Sequence, residues 1–304
     1  MLHRLWIKSA DMRYSRRRYI VQLLWLSGCM SFVGCDLINP SEPLPTRIDI
    51  QPFEFQIEPG QGSVQNKITE VWVFYNNNTF LGAFSPPVAV NFLEEGQTHF
   101  KFRPGIRNNG ILDAAIVYPM FEEYTIDLNA TPGSVFSVSP VTKYKPEVVF
   151  SFLCDFELDN PFVDNRDTVT ASNLIRSTTN PFEGDYCGEI VMSQNAYFIE
   201  VGHLLPLGGL PVDGTKAYLE FRYKSDVDMS IGLLGYNLTG QSFSNFFYLV
   251  NASDEWNMLY IDLTDLLELS KLDAYKILFR SLYPGNATAS EYHIFLDNIK
   301  VVHL

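Results

Sequence analysis

Short stretches in which apolar and polar residues alternate are the feature that most constrains how this chain folds. In the stretch THFKFR, residues 98–103, Phe100 and Phe102 alternate with polar or charged neighbours. Successive side chains of a β-strand point to opposite faces, so this period of two predicts a strand with one buried face. The stretch ITEVWVFYNNNTFLGAF, residues 68–84, predicts a hairpin, because three asparagines interrupt two strand-forming runs.

Residues 47–145 contain further strand patterns and no long amphipathic helix. The runs 47–55, 124–128 and 135–141 carry β-branched and aromatic residues, with Gly and Pro between them. About a hundred residues of short strands and turns predict a β-sandwich. The phrases VWVFYNNNTFLGAF and FLEEGQTHFKFRPG resemble the immunoglobulin-like and PEGA-type sandwich modules of bacterial surface proteins.

Residues 146–304 form a second series of predicted strands. The series includes VVFSFLCDFELD, YCGEIVM, AYLEFRYKSD, MSIGLLGYN, NFFYLV, YKILFRS and YHIFLDNIKVV, with one short helical turn at 264–269. So many strands in one unit are typical of a jelly roll. The predicted fold class is therefore all-β, with two β-sandwich domains: an immunoglobulin-like domain, 47–145, and a jelly roll, 146–304.

The second unit resembles galactose-binding-like and carbohydrate-binding jelly-roll modules in four short motifs, namely an opening DFE, a GDYCG turn, a central YLEFRYK and a closing LDNIKV. In that family the first and last strands often bring carboxylates together around a structural calcium. The resemblance implies Asp155, Glu157 and Asp297 as ligands, completed by backbone carbonyls because calcium takes six to eight oxygens. The alternative is that these acids pair with Lys300 or cap turns in solvent.

The first 34 residues have the pattern of an export signal. Three arginines, residues 16–18, precede the apolar run YIVQLLWL, which is shorter than the roughly 20 residues that span a bilayer. Two cysteines then follow glycine, in LSGC and FVGC, and this arrangement resembles a bacterial lipoprotein signal with an acylated cysteine. We predict that residues 1–34 are removed and that Cys35 is acylated, with Cys29 as the alternative. Residues 35–46 then form a polar tether.

The lipoprotein resemblance implies a lipid-anchored protein in the outer membrane of a Bacteroidetes-type bacterium, on the cell surface rather than the periplasmic face. The full chain has a net charge of −13, and residues 1–34 carry six Lys or Arg and one Asp, so removing those five net positive charges leaves −18. Phosphate backbones and anionic headgroups repel such a body. We therefore expect no nucleic-acid partner, and we expect bilayer contact to come from the acyl chains, with palmitate among them.

Two cysteines remain after the signal segment. An exported protein meets oxidising conditions, so Cys154 and Cys187 are predicted to form a disulfide, with two separately buried thiols as the alternative. No Cys or His spacing predicts a zinc site. The triplet DTV resembles the O-glycosylation acceptor of Bacteroidetes-type bacteria, which implies Thr168 as a modified residue.

Motifs of catalysis are not found in the sequence. HExxH, GxSxG, the P-loop and GxGxxG are all missing. The adjacent acid pairs Glu94-Glu95 and Glu122-Glu123 would point to opposite faces of a strand rather than toward one substrate. We therefore predict that the chain is not an enzyme.

Two functions from different classes remain. The one that we favour from the sequence is an accessory or structural lipoprotein subunit that docks on an integral outer-membrane protein complex. The alternative is a carbohydrate-binding surface lipoprotein, in which exposed rings of the jelly roll stack on sugars. Tyr236, Tyr248 and Tyr283 are the candidates for that platform because they neighbour predicted strand ends or turns.

Overall fold

The structure is a computed structural model that describes residues 44–169 and 171–304. The predicted signal segment, both candidate acylated cysteines, Cys29 and Cys35, and most of the tether lie outside the described residues. The all-β prediction is confirmed, because the described residues form 22 strands and one short helix. No helix in this part of the chain is long and apolar enough to cross a membrane.

The first unit contains ten strands in three sheets. Strands β5, β1 and β9 form one sheet, strands β4, β3, β6 and β7 form a second with β8 also on β6, and β10 pairs with β2. The strands are β1 (Thr46–Ile50), β2 (Glu54–Gln56), β3 (Glu70–Tyr75), β4 (Thr79–Phe84), β5 (Val88–Phe92), β6 (Gly96–Arg107), β7 (Ala115–Val117), β8 (Tyr124–Ala130), β9 (Val135–Val138) and β10 (Val141–Lys143).

The alternating stretches of the first unit build its core as predicted. Phe100 and Phe102 of β6 are fully buried and pack with residues of β1, β3 and β5 between the two larger sheets. The predicted hairpin is formed by β3 and β4. Asn76 and Asn78 in its turn have φ of 45° and 63°, a left-handed conformation that asparagine tolerates better than most residues. The relationship to immunoglobulin-like or PEGA-type modules stays a prediction.

The second unit is a sandwich of two six-stranded sheets. We call β13-β14-β22-β17-β20, with β11 on β22, the first jelly-roll sheet, and β12-β15-β21-β18-β19, with β16 on β21, the second jelly-roll sheet. The elements are β11 (Val149–Cys154), β12 (Asp164–Asn165), β13 (Leu174–Ser177), β14 (Cys187–Ser193), β15 (Phe198–Gly202), β16 (Leu207–Gly208), β17 (Ala217–Ser225), β18 (Met229–Tyr236), β19 (Ser242–Val250), β20 (Ser253–Asp262), α1 (Thr264–Ser270), β21 (Ala274–Leu282) and β22 (Glu291–His303).

The first unit packs on the outer side of the first jelly-roll sheet. Residues from both units form one buried cluster there. At its centre the hydroxyls of Tyr118 and Tyr144, from the first unit, donate to the two oxygens of Glu220 on β17 at 2.5 and 2.6 Å. Glu220 is 0% exposed, so both of its oxygens depend on these donors. We call this contact the junction.

The predicted disulfide between Cys154 and Cys187 is not formed, and both thiols are free and buried. β11 and β14 both pair with β22, and Cys154 lies opposite Ile299 and faces the core with it. On β14 the core side chain is Ile190, three positions after Cys187, so Cys187 points to the other side of the sheet. There its thiol donates to the Thr179 carbonyl at 3.2 Å. The prediction is wrong because strand alternation places the two thiols on opposite sides of the sheet.

Candidate functional site

The outer side of the second jelly-roll sheet carries aromatic and charged side chains together. Ile199 of β15 and Ile277 of β21 belong to the core, so their direct neighbours in sequence point outward. We call this surface the outer face, and its members are Phe198 and Glu200 on β15, Ser230 and Tyr236 on β18, Phe246 on β19, and Lys276 and Arg280 on β21.

An ion-pair network crosses the outer face. Arg280 donates from Nη2 and Nε to Oε2 of Glu200 at 2.6 and 3.1 Å. Lys276 donates from Nζ to Oδ2 of Asp164 on β12 at 2.6 Å. Arg166 connects the two pairs more loosely, at 3.7 Å from Asp164 and 3.5 Å from Glu200. The network holds the charged side chains in fixed positions on the sheet.

The ring of Phe246 is held at the middle of the outer face. Phe246 lies opposite Gly232 on β18, and a Cβ at Gly232 would come within 2.8 Å of the ring. The Arg280 guanidinium lies 3.4 Å from the ring centroid, a cation–π contact. Phe198 flanks this pair, since its ring centroid is 6.0 Å from the Arg280 guanidinium, and Tyr236 lies farther along the face, 6.0 Å from the Lys276 ammonium.

A cavity of about 400 Å³ opens at one end of the outer face. Ser230 and Arg280 belong to its wall, together with the exposed side chain of Leu249 and the acids Asp226 and Asp228. Each acid has one oxygen fixed by a backbone N–H group, at 2.7 and 2.9 Å respectively. The cavity therefore combines apolar wall, a cation and fixed carboxylates, a mixture that is typical of sites for polar small molecules.

The structure places only one of the three predicted platform tyrosines on the outer face. Tyr236 lies there, but Tyr248 packs against the core, and its hydroxyl donates to the Asn109 carbonyl of the first unit. Tyr283 also packs against the core and donates to the Ala289 carbonyl at 2.9 Å. The predicted platform is wrong for Tyr248 and Tyr283, because both side chains point inward.

The candidate calcium ligands lie near one another, but their carboxylate oxygens already accept hydrogen bonds from backbone N–H groups. Asp155 and Glu157 line a cavity of about 200 Å³ with Glu183 and Asn298. Oε1 of Glu157 accepts two backbone N–H groups at 3.0 Å, and the oxygens of Asp297 accept three at 3.4 Å or less. Burial raises the pKa of Asp297 to about 7. In the described ranges no three His, Cys, Asp or Glu side chains are grouped to hold a metal ion. The residues do not fit calcium as they stand, and calcium stays a prediction.

The predicted modification site lies in an exposed loop. Thr168 is exposed after β12, between Asp167 and Val169. The Asp167 carboxylate accepts the N–H groups of Val169 at 2.7 Å and Glu200 at 2.9 Å, which fixes the loop beside the outer face. Glycosylation of Thr168 stays a prediction.

Comparisons with known proteins find similarity in solved structures only. No protein-family model matches the chain, and no curated protein matches it. Three of the similar structures are the CBM22-1 xylan-binding domain of Paenibacillus barcinonensis Xyn10C (10% identity, TM-score 0.36, 51% of this chain and 94% of that one), the family 30 carbohydrate-binding module of the Clostridium thermocellum cellulosomal cellulase Cel9D-Cel44B (18%, 0.38, 51% and 96%), and a carbohydrate-binding module of the β-sandwich superfamily (14%, 0.37, 86% and 99%). With TM-scores below 0.5, these likenesses carry no argument about what this chain binds.

Proposed function

We propose that the second unit binds carbohydrate on the outer face, without catalysis. The observation that carries the proposal is the pair of outward rings, Phe198 and Phe246, on either side of the Arg280 guanidinium, with a third outward ring, Tyr236, beside Lys276 on the same face. A solvated sheet face normally presents polar side chains, so an aromatic group there marks an interaction surface. Sugar rings have one apolar C–H face that packs on such rings, and hydroxyls that need hydrogen-bonding partners.

The ion pairs of the outer face leave hydrogen-bonding capacity for a ligand. A guanidinium has five N–H donors, and Arg280 gives two of them to Glu200. Lys276 gives one of its three donors to Asp164. Because the pairs hold each other in place, a sugar hydroxyl meets ordered donors and acceptors and little side-chain entropy is lost on binding.

The same groups support binding rather than hydrolysis. Glycoside hydrolysis uses two carboxyl groups across a cleft, one of which donates a proton to the leaving group. Glu200 and Asp164, the two acids of the network, each accept from a cation. We therefore propose a binding module and keep the sequence-based prediction that the chain is not an enzyme.

The proposed location of the protein in the cell rests on the sequence patterns alone. Acylation of Cys35, or of Cys29, and display at the cell surface stay predictions, since both cysteines lie outside the described residues. The accessory subunit that docks on an outer-membrane protein also stays a prediction. Glycan binding is the better-supported function because the outer face offers a specific set of rings and donors, whereas no described surface singles out a protein partner.

The test compares two phenylalanines of the same strand. The full chain, purified in detergent, is screened on an array of plant and microbial glycans, and the best ligand is titrated by calorimetry. We expect Phe246→Ala to weaken binding at least tenfold, about 1.4 kcal/mol. Phe243→Ala should bind as wild type. Phe243 is 58% exposed but lies opposite Gly235, which faces the other side of β18 from Gly232, so its side chain does not belong to the outer face.

Two outcomes would count against glycan binding at this face. One is an array without any saturable ligand. The other is equal loss of affinity in the Phe246 and Phe243 variants. Co-purification of an integral outer-membrane protein, in the absence of glycan binding, would instead support the accessory subunit.

A further inference from the structure

Another cavity lies at the junction, on the opposite side of the sandwich from the outer face. Its volume is about 270 Å³. The first unit contributes Lys67, Glu70 and Arg107 to its wall, and β20 of the second unit contributes Asn257 and Tyr260. Backbone contacts fix the two sides together, because the Lys67 N–H donates to the Tyr260 hydroxyl at 3.0 Å. The cavity therefore exists only where both units are present.

Charges in the junction cavity do not cancel. Glu70, which is 4% exposed, forms an ion pair with Arg107 and accepts the Thr69 hydroxyl at 2.7 Å. The Lys67 ammonium donates to the amide oxygen of Asn257 and has no carboxylate within 4 Å in the described part of the chain. Two cations and one anion thus line the cavity, and the surplus positive charge belongs to Lys67.

A further cation, Arg222, lies near the same seam but outside the wall of the cavity, where Glu183 and Asp297 attract it. Arg222 of β17 is 7% exposed, and its guanidinium lies over the Phe182 ring at 3.9 Å rather than against a carboxylate. Burial lowers the pKa of Lys67, and the charge of Arg222 lowers it further. Lys67 is half-buried, and the partial loss of water around its ammonium has no partner charge to offset it, so an anion in the cavity would be favourable there.

We propose that the junction cavity binds a carboxylate-bearing sugar, a hexuronate either free or at the end of a glycan. Its carboxylate accepts from Lys67 and Arg107, which both line the space. Its hydroxyls meet the side chains of Thr69, Ser85 and Asn257 in the same wall. The apolar side of its ring lies against Met258, whose side chain faces the first unit. This site is separate from the outer face and does not depend on glycan binding there.

The ligand class is tested with matched sugars. Calorimetry on the full chain in detergent compares D-galacturonate, its α-1,4-linked trimer, neutral D-galactose and sodium sulfate. We expect galacturonate to bind at least tenfold more tightly than galactose, and with weaker affinity at higher salt. Tighter binding of the trimer would identify a glycan end as the source, and equal binding of monomer and trimer a free sugar.

The position of the site is tested with matched lysines. Lys67→Met removes the surplus cation and should weaken galacturonate binding at least tenfold. Lys101→Met is the control, since its ammonium also donates to an asparagine, Asn78, at 2.9 Å but lies on the outside of the first unit. Asn257→Asp supplies a carboxylate to Lys67 from within the protein, and should abolish binding without removing any side chain from the wall.

Three results would overturn the proposal. They are no saturable binding of galacturonate, equal affinity for galactose, or wild-type affinity in Lys67→Met and Asn257→Asp. If sulfate binds as tightly as galacturonate, the cavity takes inorganic anions and the sugar class is wrong. Phe246→Ala should leave this binding unchanged, so a failure at the junction cavity is distinguishable from a failure at the outer face.

Discussion

A single β-bulge decides which of the aromatic residues 246–248 of β19 belongs to the outer face. The register between β18 and β19 shifts after Ile231, so that Phe246 lies opposite Gly232 while Tyr248 lies opposite Ile231. The extra residue, Phe247, reverses the alternation. Without it, Tyr248 would point to the same side as Phe246. Because of this reversal, Phe246 belongs to the outer face, whereas Tyr248 lies at the edge of the sandwich and donates a hydrogen bond to the first unit.

The imidazole of His203 is held in an apolar environment just after β15. It stacks on Phe152 with centroids 4.9 Å apart, contacts the edge of Phe162 at 6.0 Å, and is 1% exposed. Its Nε2 has no hydrogen-bond partner among the described residues. Burial lowers the pKa of His203 to about 4, and the Lys276 charge also lowers it, against the effects of Asp164 and a backbone hydrogen bond.

The contribution of His203 to the free energy of unfolding should therefore decrease as pH falls from about 6.5 toward 4, opposite in sign to the contribution of Asp297, whose pKa is raised. In that range the unfolded chain protonates His203 and the folded chain does not, so the stability contributed by the neutral imidazole is complete above pH 6.5 and is lost on acidification. On unfolding between these pH values, wild type takes up about one proton at His203. His203→Gln should abolish that uptake, and with it a pH-dependent change of up to roughly 3 kcal/mol in the free energy of unfolding. Urea unfolding at several pH values measures it, and equal slopes for the two proteins would contradict the prediction.

The sequence predicted the strands, the turn and the short helix better than it predicted the directions in which individual side chains point. The strand alternation around Phe100, the asparagine turn and the helical turn at 264–269 all appear in the structure, because each depends on residues that are close in sequence. The bulge in β19 is not encoded by such a local pattern. The direction of Cys187 depends on how β14 pairs with β22, more than a hundred residues later.

The opposite orientation of Cys154 and Cys187 predicts two protected thiols. Burial raises the pKa of each to about 12, so neither is a thiolate near neutral pH. We expect a thiol reagent to modify both cysteines in denaturant and neither in the folded protein. Mass spectrometry under non-reducing conditions measures this. A disulfide-linked pair of peptides spanning the two strands would show that the chain rearranges during export.

The junction couples the stability of the two units. Tyr118 and Tyr144 lie 102 and 76 positions before Glu220, so sequence patterns gave no signal of their contact. The ammonium of Lys300, 3% exposed, donates to the Tyr144 hydroxyl at 3.4 Å and adds a buried cation. Buried charge of this kind is sensitive to the loss of any one partner.

Removing one tyrosine hydroxyl should destabilise the whole molecule. Tyr144→Phe leaves one oxygen of buried Glu220 without its donor, which costs roughly 1 to 3 kcal/mol. Tyr197→Phe, at a site 55% exposed, should change stability little. We expect a single unfolding transition in calorimetry for wild type, since the junction couples the units. Two separate transitions, with only one of them shifted in Tyr144→Phe, would contradict that coupling.

The packing of the first unit on only one jelly-roll sheet gives the molecule a direction. The predicted tether precedes β1 of the first unit, and the first unit covers the first jelly-roll sheet. The outer face with Phe246 lies on the other jelly-roll sheet, so it points away from the first unit and from the anchor if Cys35 is acylated. If the outer face binds glycan as proposed, this orientation lets it lie against a polymer that is far too large to enter a pocket. If Cys35 is also acylated, neighbouring copies in one membrane would bind the same polysaccharide chain together, with a combined affinity above that of any single copy.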